Sequence, residues 1–253
     1  MQLCLFSSAL RGWQPARVAD AAHAVGLDAV EWGIGPGEEL ESPRAAARVL
    51  GSLGIDHAGV CVQGDAASLT APARLKPFAA LAAELGAPHV RIFAPPYRAG
   101  ARERTRDSFA RAAELVATHG VALLVETSPG TLAPSTAQAR ALVDGLPQGR
   151  VGVLYDPGNM AIEGHVEPAL AVDELGPYLH HVHVKNIAWR RRDGTWSWRH
   201  AALDAGLLDW SDVLAALRSA GYTGRLSLDH LGGRPTLALL RREVGLLRAL
   251  LSR

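Results

Sequence analysis

Lysine, cysteine and any excess of one charge are what this sequence has least of. Only two lysines stand against 24 arginines, and one of them, Lys185, falls inside the histidine-rich stretch HHVHVKN (180–186). The two cysteines, Cys4 and Cys61, sit in apolar strand-like contexts with no CxxC, which argues for buried thiols and against a disulfide or a soft-metal site. Basic and acidic residues nearly balance at 26 and 25, and no run of like charge exceeds Arg190–Arg192, so the electrostatic footprint of a nucleic-acid partner is missing. Apolar runs stay well below the ~20 residues that cross a bilayer, which excludes a membrane-spanning helix. The start, MQLCLFSSAL, has neither the basic lead nor the long apolar stretch of a secretory signal, and the cytoplasm is the expected location. Linker-like segments, low-complexity tracts and composition breaks are missing as well. The expectation is one domain over residues 1–253.

What the sequence does have is alternation. Eight β-like runs are separated by longer amphipathic ones: QLCLF (2–6), DAVEW (28–32), IDHAGVCV (55–62), HVRIF (89–93), VALLVE (121–126), VGVLY (151–155), LHHVHVK (179–185) and RLSLD (225–229). Between them apolar residues recur every three or four positions, as in 15–26, 102–120 and 209–222, and several such stretches end on Gly just before the next strand. Strict βα alternation predicts a parallel sheet covered by helices. Eight units in this length match a single closed (β/α)8 TIM barrel of the α/β class. The rival is an open doubly wound sheet, disfavoured because LCLFSSALRGW, and not G-x-G-x-x-G, covers the first strand and its exit. Two long connections, QGDAASLTAPA after strand three and NIAWRRRDGTWSWRHAALDAGLL after strand seven, would lie at the C-terminal mouth of such a barrel. Trp13, Trp32, Trp189, Trp196 and Trp198 fall at or just past strand ends, either as apolar walls for a small polar ligand or as anchors of the long loops.

The later strands end in chemistry. Glu126 ends strand five, Asp156 follows strand six, His183 and Lys185 share one face of strand seven, and Asp229 ends strand eight. Each follows an apolar run that must be buried, so a barrel would deliver all of them to one mouth. Carboxylates gathered and partly desolvated need a neutralising charge, which a divalent cation supplies. Oxygen donors with one imidazole suit Mn, Mg or Co better than a thiolate-seeking ion, with Zn also compatible. Taken singly, each acid could be only a helix cap or turn residue, and His183 only a hydrogen-bonded core histidine. Four such residues on four successive strands favour one metal site.

The motifs LLVETSPG, VGVLYDPGNM, HVHVKN and GYTGRLSLDHLGG, with AVEWG in strand two, resemble those of the xylose isomerase-like TIM-barrel superfamily. The nearest branch is its sugar phosphate isomerase/epimerase group, with tagatose/psicose 3-epimerases, hydroxypyruvate isomerases and inosose dehydratases. The resemblance runs over nearly the whole chain and is more specific for fold and metal site than for substrate. It implies that Glu126, Asp156, His183 and Asp229 hold one divalent ion. It also implies that Glu126 and Asp229 move a proton on opposite faces of an enediolate held on that ion. The expected substrate contacts are Lys185, Asn159, Glu31, Arg91 and Trp32. Two positions depart from the epimerase pattern. Asp229 stands where a Glu is general, shorter by one methylene, and Asn159 stands where a His is frequent, able to hydrogen-bond a hydroxyl but not to carry a proton.

The function these residues predict is a metal-dependent isomerase or epimerase of a small sugar or related hydroxy-carbonyl compound, beginning with α-proton abstraction. A dehydratase of the inosose type begins the same way. A non-catalytic metabolite-binding barrel is the reading if Asp229 falls short. A DNA-repair endonuclease relative would need several metals and a basic surface, and neither is evident. The resemblance implies that a homo-oligomer, dimer or tetramer, is common, and no stripe in the sequence chooses between them.

Overall fold

The computed structural model describes residues 1–35, 44, 47, 50–63 and 71–252. Eight parallel strands close a barrel in the order β1 (Gln2–Phe6), β10 (Arg225–Leu228), β7 (Leu179–Val184), β6 (Val151–Tyr155), β5 (Ala122–Glu126), β4 (His89–Phe93), β3 (Asp56–Val62) and β2 (Ala29–Ile34), which returns to β1. Strand eight of the sequence reading is therefore β10 in chain order. Among the described residues the helices with both ends given are α1 (Pro15–Ala24), α2 (Lys76–Leu85), α3 (Ala101–Ala117), α4 (Thr136–Val143), α5 (Pro157–Glu163), α6 (Pro168–Leu175), α7 (Trp210–Ser219) and α8 (Leu237–Leu251). The architecture is a TIM barrel. Where α2 stops, Gly86 adopts a φ of 68°, a left-handed turn that costs glycine little.

The pleat sorts the side chains into two layers. Val30, Trp32 and Ile34 of β2, Val90 and Ile92 of β4, Leu123 and Val125 of β5 and Val182 and Val184 of β7 join helix residues such as Phe109, Leu142 and Leu214 in one apolar cluster. Alternate positions face the barrel axis, and many are polar: Glu31, His89, Arg91, Glu126, His181, His183 and Ser227 are all buried. Barrel axes are ordinarily filled by Val, Ile and Leu. A buried polar group left unpaired costs roughly 1–3 kcal/mol, so this interior has to be paired within itself. Glycine makes the room: a Cβ on Gly59 would overlap the His89 ring, and one on Gly158 would stand 2.6 Å from Lys185 Cγ.

The connection after β7 differs from the expected loop. β8 (Asn186–Arg192) and β9 (Thr195–Ala201) form an antiparallel hairpin, turning at Asp193 and Gly194 with φ of 49° and 79°. Positive φ at both central residues gives a turn whose twist matches that of the paired strands. Asn186 secures the root of this hairpin: its Nδ2 donates to Leu203 O and Leu208 O, both at 2.8 Å, and its Oδ1 accepts from Leu208 N at 3.0 Å. Of the long connection after β3, residues 64–70 lie outside the described residues. No described helix is long and apolar enough to cross a membrane.

Candidate active site

Glu126 and Asp156 are brought together by the residues beside them. The Thr127 hydroxyl accepts from Asp156 N at 2.8 Å and donates to Asp156 O at 3.3 Å, tying the ends of β5 and β6. Asp156 caps α5, with Oδ1 accepting from Asn159 N at 2.8 Å, while its Oδ2 faces His183. The capping role and the site role therefore coexist in one side chain. Asn159 Nδ2 donates to Glu126 Oε1 at 2.8 Å and to Thr127 O at 3.0 Å. The other Glu126 oxygen, Oε2, lies 2.8 Å from Arg91 Nε, and that guanidinium is buried over the Phe93 ring at 4.3 Å.

His183 reaches the same place from β7. Its Nε2 lies 2.9 Å from Glu31 Oε2. Its Nδ1 faces Glu126 Oε1 at 3.7 Å and Asp156 Oδ2 at 3.8 Å and has no hydrogen-bond partner. Those separations are too long for hydrogen bonds, whereas ligand atoms sharing one ion at about 2.1 Å stand roughly 3–4 Å apart. Burial opposes charge on the imidazole, yet Glu31 and Glu126 beside it hold its pKa well above the ordinary 6.5. Four carboxylates, Glu31, Glu126, Asp156 and Asp229, face two fixed cations, Arg91 and Lys185. Once an ion on Nδ1 displaces the His183 proton, the carboxylates exceed the two fixed cations by two negative charges, matched by one divalent ion. The donor set fits such an ion.

Three of the four expected ligands thus converge. Asp229 stands apart from them, because Lys185 Nζ lies 2.6 Å from Asp229 Oδ2 and 2.7 Å from Asp156 Oδ2. Burial pushes the Asp229 carboxyl up, but Lys185 and then His183 more than offset it and draw the pKa down to about 2. Burial likewise works against the Lys185 charge, and Asp156 and Asp229 overcome it, so the ammonium holds its proton above the ordinary range.

A cleft of 240 Å³ opens over this group, lined by Glu126, Arg91, Asn159, Lys185 and Asp229 and walled by Phe6, Phe93, Trp198, His200 and His230. The His200 ring stacks on His230 at 3.6 Å and 14°, with Trp198 edge-on to His200 at 5.3 Å. Burial lowers both pKa values, that of His230 to about 4 with His200 adding to the effect, so the pair is neutral at neutral pH.

Two expected substrate contacts lie elsewhere. Trp32 neighbours inward-facing Glu31 and so points outward, where its Nε1 donates to His57 Nδ1 at 2.9 Å in the layer under the helices. Glu31 does not line the cleft and has no exposed surface. Of the tryptophans singled out from the sequence, Trp198 alone lines the cleft among the described residues, while Trp189 and Trp196 are 40% and 62% exposed on the hairpin. Sequence reasoning missed His200 and His230 in the cleft, and His89 and Cys61 around Glu31. The hairpin carrying His200 was signalled by Asp193-Gly194 between alternating residues.

A closed parallel barrel with acids and an imidazole gathered at the C-terminal ends of its strands defines a class, the α/β barrels that work at that face. Within it, the chain belongs to the xylose isomerase-like TIM barrel family, whose model matches residues 19–250. No curated protein matches it in sequence. Among solved structures it is similar to the probable 3-DHS dehydratase involved in petrobactin synthesis from Bacillus anthracis, at 17% identity and a TM-score of 0.79 over 98% of this chain and 99% of that one. It is similar to D-allulose 3-epimerase from Methylomonas sp. in complex with D-allulose, at 15% identity and 0.78 over 98% and 96%. A third, a xylose isomerase-like TIM barrel protein from Mycobacterium smegmatis in complex with magnesium, shares 15% identity and 0.76 over 99% and 96%. At such identities the likeness concerns the fold.

Proposed function

We propose that the chain is a divalent-metal-dependent isomerase or epimerase of a small sugar or related hydroxy-carbonyl compound. Glu126, Asp156 and His183 Nδ1 hold the ion, with Mn, Mg or Co preferred by the donor set and Zn also compatible. The observation that carries this reading is the buried His183 Nδ1, unpartnered and facing two carboxylate oxygens at 3.7 and 3.8 Å. When bound, the ion supplies Lewis acidity that makes a proton beside a substrate carbonyl easier to remove. Arg91 and Asn159 fix both Glu126 oxygens at the floor of the cleft, where that carboxylate takes the α-proton. Lys185 presents its ammonium to the same cleft and opposes the negative charge that builds as the proton leaves. Trp198, His200, His230 and Phe93 wall the substrate from water.

An epimerase needs a second base, and Asp229 fills that role in this reading. Its Oδ2 is engaged by the Lys185 ammonium at 2.6 Å, so that oxygen is not free to take a proton while the pair holds. That observation favours a second reading, a dehydratase. If a hydroxyl sits β to the carbonyl, Glu126 can take the α-proton and return it to that hydroxyl as the β C–O bond breaks, so water leaves, a double bond forms and a single acid–base group suffices.

Incubation of the Mn-loaded protein with ketoses and with β-hydroxy ketones distinguishes these readings. Conserved product mass means an isomerase, and a loss of about 18 mass units means a lyase. Glu126→Gln, checked by circular dichroism because it also takes the buried partner from Arg91, should abolish either activity, and an unchanged rate contradicts the assignment. A metal-loaded chain that binds such compounds without turnover is a binding barrel.

A further inference from the structure

We infer that Glu31 is a positioning residue for the metal centre: its carboxylate accepts the Nε2 proton of His183 and so fixes Nδ1 as the atom turned to the ion. This rests on the metal reading above. Glu31 and His183 stand on β2 and β7, which do not pair, and they meet across the barrel axis at 2.9 Å. A neutral imidazole has one donor and one acceptor nitrogen. With Nε2 donating to a carboxylate, the lone pair is left on Nδ1. Nδ1 is also the nitrogen that faces Glu126 and Asp156. The ring plane is held by Phe6, with centroids 4.9 Å apart.

Glu31 is itself held. Its Oε1 accepts from the Cys61 thiol at 2.8 Å and lies 3.3 Å from His89 Nε2. Its Oε2 also lies 3.3 Å from His181 Nε2, which bonds Ser227 Oγ at 2.8 Å. The backbone is shaped for this cluster. The pairing of β2 with β3 shifts register between Val30 and Glu31, a bulge of the kind that re-aims a side chain. Gly59, paired with Glu31, leaves the space that His89 crosses to reach it. With no exposed surface, Glu31 acts through the side chains it touches, and of these His183 is the one that faces Glu126 and Asp156.

The test compares Mn²⁺ affinity of the full chain and of Glu31→Gln, with circular dichroism as the check of fold. Glutamine keeps the size and loses the charge, and the expected loss of affinity is roughly 10- to 100-fold. A folded variant that binds Mn²⁺ within about twofold of the unmodified chain overturns the inference. Should the variant not fold, ¹⁵N NMR of the unmodified chain decides. His183 Nε2 is expected to keep its proton while Nδ1 shifts on adding Mg²⁺, and a shift at Nε2 instead contradicts the assignment. If the unmodified chain takes up neither ion, the metal reading falls and this falls with it. Failure of the Glu31 role alone is distinct, because both chains then bind alike.

Discussion

Lys185 bridges two carboxylates: its Nζ lies 2.6 Å from Asp229 Oδ2 and 2.7 Å from Asp156 Oδ2. The ammonium links the exit of β10 to the cap of α5 and is almost fully buried. Removing one partner of a buried ion pair leaves an uncompensated charge, a cost of about 3–5 kcal/mol. Lys185→Met should therefore destabilise the metal-free protein by about that amount in urea unfolding. A loss below about 1 kcal/mol would mean that solvent already screens the two acids.

Asn186 makes a second prediction, this time about the hairpin. Its amide serves Leu203 O, Leu208 O and Leu208 N, and alanine would leave these buried backbone groups unpaired. At roughly 1–3 kcal/mol for each buried group left unpaired, Asn186→Ala should cost about 3 kcal/mol or more, short of any water that enters. Hydrogen exchange should quicken over residues 186–208. A thermal melt matching the unmodified protein contradicts this.

Metal loading should depend on pH through His183. Its pKa is raised in the folded chain, where burial is outweighed by Glu31 and Glu126. The proton-bound form therefore stabilises the metal-free fold fully below about 6.5, and that contribution fades as pH rises through the raised value. An ion on Nδ1 displaces this proton, so Mg²⁺ affinity should increase with pH until the raised pKa is passed, by up to about tenfold per unit. Calorimetry in buffers of different ionisation enthalpy should find about one proton released per ion. Affinity independent of pH between 6 and 8 contradicts His183 as a ligand.

Much of this was legible in the sequence, for physical reasons. Strand positions followed from apolar runs punctuated by Gly, and Glu126, Asp156 and His183 converge because strand ends converge in a barrel. The sequence places Asp229 at the same mouth, but no strand pattern reveals its pairing with Lys185, two residues past His183. Trp32 was placed in the cleft although strand parity with Glu31 sends it outward. The four donors around Glu31 come from three other strands, so their meeting depends on register and on the missing side chain of Gly59. Local sequence does not carry that information.

The central claim is that one cation is shared by strands five, six and seven. Anomalous diffraction from crystals grown with Mn²⁺ tests it most directly. The account predicts a single peak about 2.2 Å from Glu126, Asp156 and His183 Nδ1, present also in Asp229→Asn. No peak there, or a peak that disappears with Asp229→Asn, would contradict it.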